Sequence, residues 1–358
     1  MAHSQSMTPR ERVVAAFRGE RPDRVPFTCY AVLLPRGQVE RQVREEGLAL
    51  IERHAPFETE TPDVETVRHT FRRDGRTFVR ETFRTPVGEV SQVFLTGGGY
   101  GTSLRKEFLI KTPDDYQVLA FIYRNQRYTP TYDEMRQAAE RLGEDGVVIG
   151  NLGYSPMQQL IVMDMGTERF AIDWYERRHL VLELYQVINE RRREQYQLAA
   201  ASPAEFFIYG DNITCEIIGR ERFERYVMPC YNECAEVLHA QGKRLGVHMD
   251  GKMKHLADAV ALSKQDFVEA FAPFPDGDLD LAEARRAWPE KVISINFPSA
   301  AHLMSEVRVA EETRRLLAAA APGDRFVVGI TENIPDHVWQ RSVPVISRVL
   351  RLEGVTPY

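Results

Sequence analysis

The run Gly246-Val247-His248-Met249-Asp250-Gly251 carries the sharpest chemistry in the chain. Side chains alternate along an extended strand, so Gly246, His248 and Asp250 share one face while Leu245, Val247 and Met249 share the other. The apolar set suits packing against helices, which turns the imidazole and the carboxylate together towards a cavity. A His and an Asp two residues apart can chelate a divalent ion or work as an acid–base pair. They can equally be a core histidine satisfied by its neighbour. Taken alone, the pair does not decide.

The ends of other apolar runs add weight. Asp211 follows Phe206-Phe207-Ile208, Glu332 follows Val328-Gly329-Ile330, and Glu269 sits inside Phe267-Val268-Glu269-Ala270-Phe271. A carboxylate among apolar neighbours has to be paired, bound to a cation or protonated, because burying it bare is prohibitively costly. His248, Asp250, Glu332, Asp211 and Glu269 are therefore expected to converge on one cavity. Asn296 should point the same way as Ser294, either towards substrate or as a cap for a helix beginning near Ser299. Tyr154, Asn212 and Asn333 stand at comparable strand ends and are expected to contact substrate.

The elements that would position these groups follow from the pattern. Thr8 as cap, Pro9 at the first helical position and Glu11 three residues after the cap predict a helix running to about Arg18 and stopping at Gly19. Apolar strand-like runs start near Val147, Phe206, Arg244, Phe267, Val292 and Arg325, each followed by an amphipathic helical stretch. Two earlier runs, near Arg24 and near Phe57, bring the total to eight. Strands alternating with helices argue for a parallel sheet. Polar residues at nearly every strand end favour a (β/α)8 barrel, which gathers its chemistry from many strands at one face. The expectation is one barrel domain over 1–358, with an N-terminal helix and an antiparallel β-ribbon inserted at about 65–110. The alternating pattern from Arg76 to Leu95 carries the ribbon. Gly97-Gly98-Gly99-Tyr100-Gly101 lacks the Gly-x-Gly-x-x-Gly spacing and reads as a mobile loop. Met157 to Met165 reads as a helix with methionines filling core, and Arg191-Arg192-Arg193 as a solvated helix face.

Composition narrows the function classes. The chain has 358 residues, 46 Lys+Arg against 52 Asp+Glu, a net charge of −6 and 43% hydrophobic residues. That argues against intrinsic disorder and against a nucleic-acid partner, which usually calls for a basic surplus. No apolar run approaches the roughly 18 residues of a membrane span, and Met1 to Arg10 has no signal-like apolar core, so a cytoplasmic location is expected. Four cysteines are too few for a disulfide scaffold. Cys230 and Cys234, four apart on a predicted helix, read as packing residues.

The sequence also resembles a known family. Met7-Thr8-Pro9-Arg10-Glu11-Arg12-Val13 with Arg21-Pro22-Asp23-Arg24-Val25-Pro26 looks like the opening of the uroporphyrinogen decarboxylase superfamily. Gly210-Asp211-Asn212, the run from Phe223 to Tyr231, Gly242 to His248 and Gly329 to Pro335 agree in order. The resemblance implies a (β/α)8 barrel. The true decarboxylases use an arginine-rich N-terminal segment and an aspartate. Here Phe27 to Gln38 offers only Arg36-Gly37 in place of the fuller run. The corrinoid-linked methyltransferases bind zinc through a His-x-Cys pair and a later Cys. Those positions match His248, Asp250 and Glu332, so the geometry looks retained while sulfur gives way to oxygen.

By that resemblance His248, Asp250 and Glu332 are expected to hold a divalent metal ion, zinc first, with iron or manganese also compatible. Asp211, His248 and Glu269 are the expected catalytic groups, with Asp211 or Glu269 as a fourth ligand or general base. The expected activity is metal-dependent activation of a small substrate for methyl transfer, any corrinoid arriving on a partner protein. A homodimer is also compatible. The alternative is a metal-free decarboxylase or lyase acting on a carboxylated substrate, with Asp211 and His248 handling protons.

Overall fold

Thr8 begins the first helix as its spacing predicts. The structure, a computed structural model describing residues 6–98, 102–335 and 337–356, has a helix α1 at Pro9–Phe17. Thr8 Oγ1 accepts the Glu11 amide, and the Glu11 carboxylate accepts the Thr8 amide in return. Part of the glycine-rich run, 99–101, lies outside the described residues.

Eight parallel strands follow and close on themselves: β1 (Phe27–Tyr30), β2 (Leu48–His54), β3 (Gly146–Asn151), β4 (Phe206–Tyr209), β5 (Arg244–His248), β6 (Phe267–Phe271), β7 (Val292–Asn296) and β8 (Phe326–Ile330). Each pairs with its neighbours in sequence, and β8 returns to β1. The protein is thus a (β/α)8 barrel. One strand differs from expectation. The second barrel strand is Leu48–His54, whereas Phe57–Glu60 pairs antiparallel with Arg127–Pro130 in a separate two-stranded sheet. The Leu-Ala-Leu run after Gly47 has good helix formers, which hid a strand that parallel pairing on both sides creates.

The barrel interior is filled in layers. Ala49, Ile51, Val147, Ile149, Phe206, Ile208, Phe267, Val292 and Val327 turn inward and pack with Val13, Ala16 and Phe17 of α1. The Phe17 ring stacks on Phe267 at 4.7 Å between centroids and tilts against Phe206 at 5.3 Å. Gly246 makes this possible, since a Cβ there would lie 2.0 Å from the Phe267 ring. Burying a phenylalanine ring contributes roughly 1.5–3 kcal/mol, so α1 is held by its aromatic end. Arg12 adds a near-buried ion pair to Asp23 at 2.6 Å.

By internal packing the chain forms two units: 1–56 with 131–153 and 199–358, which contains the whole barrel, and 57–130 with 154–198. The second contains a four-stranded antiparallel sheet, Glu65–Arg73, Arg76–Thr85, Gly88–Leu95 and Leu104–Glu107, in the region expected for the ribbon. Helix Asp115–Arg124 covers its Gly88–Leu95 strand. The Met-rich segment begins as a helix at Pro156 and continues as a π-helical turn over Gln159–Met165, with Met157 and Met165 buried. The arginines of helix Arg178–Ala201 are not simply solvated. Arg191 donates to the Gln126 carbonyl and lies over the Tyr128 ring, and Arg192 donates to Gln195 and Gln159. Among the described residues no helix is long and apolar enough to cross a membrane.

Candidate functional site

His248 and Glu269 are register partners on adjacent strands β5 and β6. Each lies two residues beyond an inward position, Gly246 and Phe267, so both side chains enter the barrel at the level where the strands end. His248 Nδ1 and Glu269 Oε2 are 2.6 Å apart, and both residues are buried. From the opposite wall Tyr30, the last residue of β1, donates its hydroxyl to Glu269 Oε1 at 2.6 Å.

The other ring nitrogen faces two acids. His248 Nε2 lies 3.6 Å from Asp250 Oδ2 and 3.7 Å from Glu332 Oε1. One ligand atom from each of the three residues falls within 4.8 Å of the other two. Glu332 stands two residues past the end of β8, where strand alternation no longer governs direction. Thr331 is buried beside it, giving its amide and hydroxyl to Asn296 Oδ1, both at 3.0 Å.

The electrostatics follow from this crowding of acids. Burial alone would favour a neutral imidazole, but the Glu269 charge and the Asp250 and Glu269 acceptors outweigh it, and the His248 pKa is pushed up to about 10. The Glu332 carboxyl is raised from its ordinary range by burial, opposed by His248 and reinforced by Asp250 and Glu269. Burial and the Glu269 charge hold the Tyr30 hydroxyl well above its usual value.

The remaining expected residues are placed as follows. Asp211 is fully buried and accepts the hydroxyl of Tyr231, from helix Met228–His239, so one carboxylate oxygen turns to the helical layer. Asn212 is exposed with a left-handed backbone, φ +47°. Asn296 uses its carbonyl on Thr331 and its amide on Ser299 at 3.4 Å, which ties the end of β7 to that of β8. Asn333 is exposed just past Glu332. Tyr154 is half-buried in the second unit.

Two site residues escaped the sequence reading. Tyr30 is the last residue of β1, the strand expected near Arg24, and a tyrosine at a strand end carries no signal of its own. Arg53 closes the unrecognised β2, where the alternation Ala49, Ile51, Arg53 would have pointed it inward. Its guanidinium carbon lies 4.0 Å over the Tyr30 ring, and among the described residues it has no ion-pair partner.

A closed parallel barrel with its reactive side chains drawn from the ends of several strands is the architecture of a barrel enzyme. The uroporphyrinogen decarboxylase (URO-D) family model matches residues 96–343, and the chain belongs to that family. Among solved structures, a methyltransferase from Methanosarcina mazei is similar with a TM-score of 0.59, covering 96% of this chain and 98% of that one at 11% sequence identity. Identity that low makes this a likeness of fold. No curated protein matches the chain.

Proposed function

We propose that this chain is a metal-dependent barrel enzyme in which His248, Asp250 and Glu332 hold one divalent cation that activates a small substrate for methyl transfer. The observation that carries the reading is the donor set: one imidazole nitrogen and two carboxylates, 3.6 and 3.7 Å from that nitrogen. Donors about 2.1 Å from a tetrahedral ion stand about 3.4 Å apart, close to both of these nitrogen-to-oxygen distances. Nitrogen and carboxylate oxygen suit zinc and also iron or manganese. A bound ion would act as a Lewis acid, lowering the pKa of a substrate thiol or hydroxyl. The family and the methyltransferase fold likeness support this reading, in which the methyl donor is a separate corrinoid protein. The exposed Arg53 gives the mouth a cation for an anionic group on the substrate.

Metal analysis of protein purified without chelator tests the proposal. About one equivalent of a transition metal in the wild type, lost in His248→Ala, is expected. Trace metal that does not change with that substitution removes it.

A second reading rests on the three carboxylates around His248. An imidazolium bracketed by three acids, with Arg53 having no ion-pair partner among the described residues, also suits metal-free decarboxylation, the ring managing the proton and the guanidinium the carboxylate. Carbon dioxide release that survives chelator would select it.

A further inference from the structure

We propose that Tyr30 and Glu269 are positioning residues: they lock the His248 ring so that Nε2 is offered to the cation, and Glu269 is neither a ligand nor a base. The inference rests on the metal reading above and assigns roles that the donor set alone does not. Both oxygens of Glu269 are engaged, Oε1 by the Tyr30 hydroxyl and Oε2 by His248 Nδ1, each at 2.6 Å. Glu269 is 3% exposed. Each oxygen of this carboxylate thus already has a partner, and Glu269 does not belong to the three-residue ligand cluster. A histidine whose Nδ1–H is held by a carboxylate presents Nε2 as its lone-pair nitrogen, with orientation fixed and basicity raised.

The backbone is shaped for this task. Register between β6 and β7 slips between Val268 and Phe271, and inside that bulge Ala270 adopts φ +56°. A left-handed alanine is strained and persists only where its surroundings impose it. Bulges beside functional sites commonly re-aim a side chain. Here the bulge releases β6 from β7 while the Glu269 carbonyl still accepts the Met249 amide at 2.8 Å, which keeps Glu269 beside His248. On the other side the Arg53 guanidinium covers the Tyr30 ring, a cation–π contact that restrains the ring at the level of Glu269. The chain of contacts therefore runs from the mouth to the ligand: Arg53, Tyr30, Glu269, His248.

The test is titration of Zn²⁺ into the full, chelator-stripped chain by competition with a chromophoric chelator, alongside thermal melts and ¹⁵N-histidine NMR. The wild type should bind one ion, with Nδ1 protonated. Tyr30→Phe should bind one ion about 10-fold more weakly and Glu269→Gln 10- to 100-fold more weakly, the range typical for partners of a ligating histidine. In Glu269→Gln the metal-free spectra should show mixed ring tautomers. If Glu269→Gln fails to fold, Ala270→Gly decides beside Tyr30→Phe: it should melt higher, because strain is relieved, yet bind zinc more weakly than the wild type. Unchanged affinity in these variants overturns the positioning roles and leaves the metal reading standing. Loss of all binding in Glu269→Gln, to the level of His248→Ala, makes Glu269 a ligand and also overturns them. A wild type that takes up no ion overturns both readings.

Discussion

Of the buried carboxylates that accept a tyrosine hydroxyl, Asp173 and Glu269 end up as opposites. In the second unit Asp173 accepts Tyr116 at 2.7 Å and is closed by two guanidiniums, Arg169 at 2.8 Å through both nitrogens and Arg177 at 2.9 Å. Burial works to raise its pKa, but the three donors prevail and hold it below the ordinary carboxylate range. In the barrel Glu269 accepts Tyr30 in the same way, but its second partner is a histidine that faces two further acids. The first cluster has all its negative charge answered by side chains. The second has three carboxylates around one imidazole. Natural folds tolerate such surplus where it is used, because functional groups are placed at a cost in stability.

The largest expected effect falls on the closed cluster. Asp173→Ala leaves two guanidiniums and a phenol without their common acceptor, and denaturant unfolding should show a loss of about 3 kcal/mol. Metal content should not change. A loss below about 1 kcal/mol would remove the distinction drawn between the two clusters.

Asp164 sharpens the comparison, since its partners are neutral. It accepts Tyr123 at 2.7 Å and Gln159 at 3.1 Å. Burial dominates these hydrogen bonds and more distant arginines, and its pKa is pushed up to about 6. The folded state therefore holds this proton more tightly than the unfolded chain, whose carboxyl titrates near 3.9. Its contribution to stability is full below about pH 4 and lost as pH rises through about 6, on the order of 3 kcal/mol. Stability measured from pH 4 to 7 should favour Asp164→Asn over the wild type progressively as pH rises, with a plateau above 7. A flat difference across that range would refute the assignment.

The smallest effect is expected at the mouth. Glu332→Gln removes one of the crowded acids, so the chelator-treated variant should be as stable as the wild type or up to about 1 kcal/mol more stable, while zinc affinity drops at least tenfold. Destabilisation as large as that of Asp173→Ala would make Glu332 a structural residue.

Local rules carried the barrel and most of the site. The Thr8-Pro9-Glu11 signal, the alternation that turned His248 and Asp250 inward and the acid following β8 were all legible, because each depends on a few neighbouring residues. What was hidden depends on pairing across the sheet. Leu48 to His54 becomes a strand through its neighbours, and with it Arg53 becomes a mouth residue. Glu269 was legible as a buried acid. That its two oxygens are taken by Tyr30 and His248 follows only from closing β1 onto the far side of the barrel. Asp211 likewise reads as a strand-end acid, and its bond to Tyr231 comes from a helix folding back over β4.

The helix Pro9–Phe17 makes the barrel a cup and not a tube. With Phe17 packed against Phe206 and Phe267, that end of the barrel is filled with aromatic side chains. His248 sits at the opposite end, two residues beyond Gly246, where the strands finish.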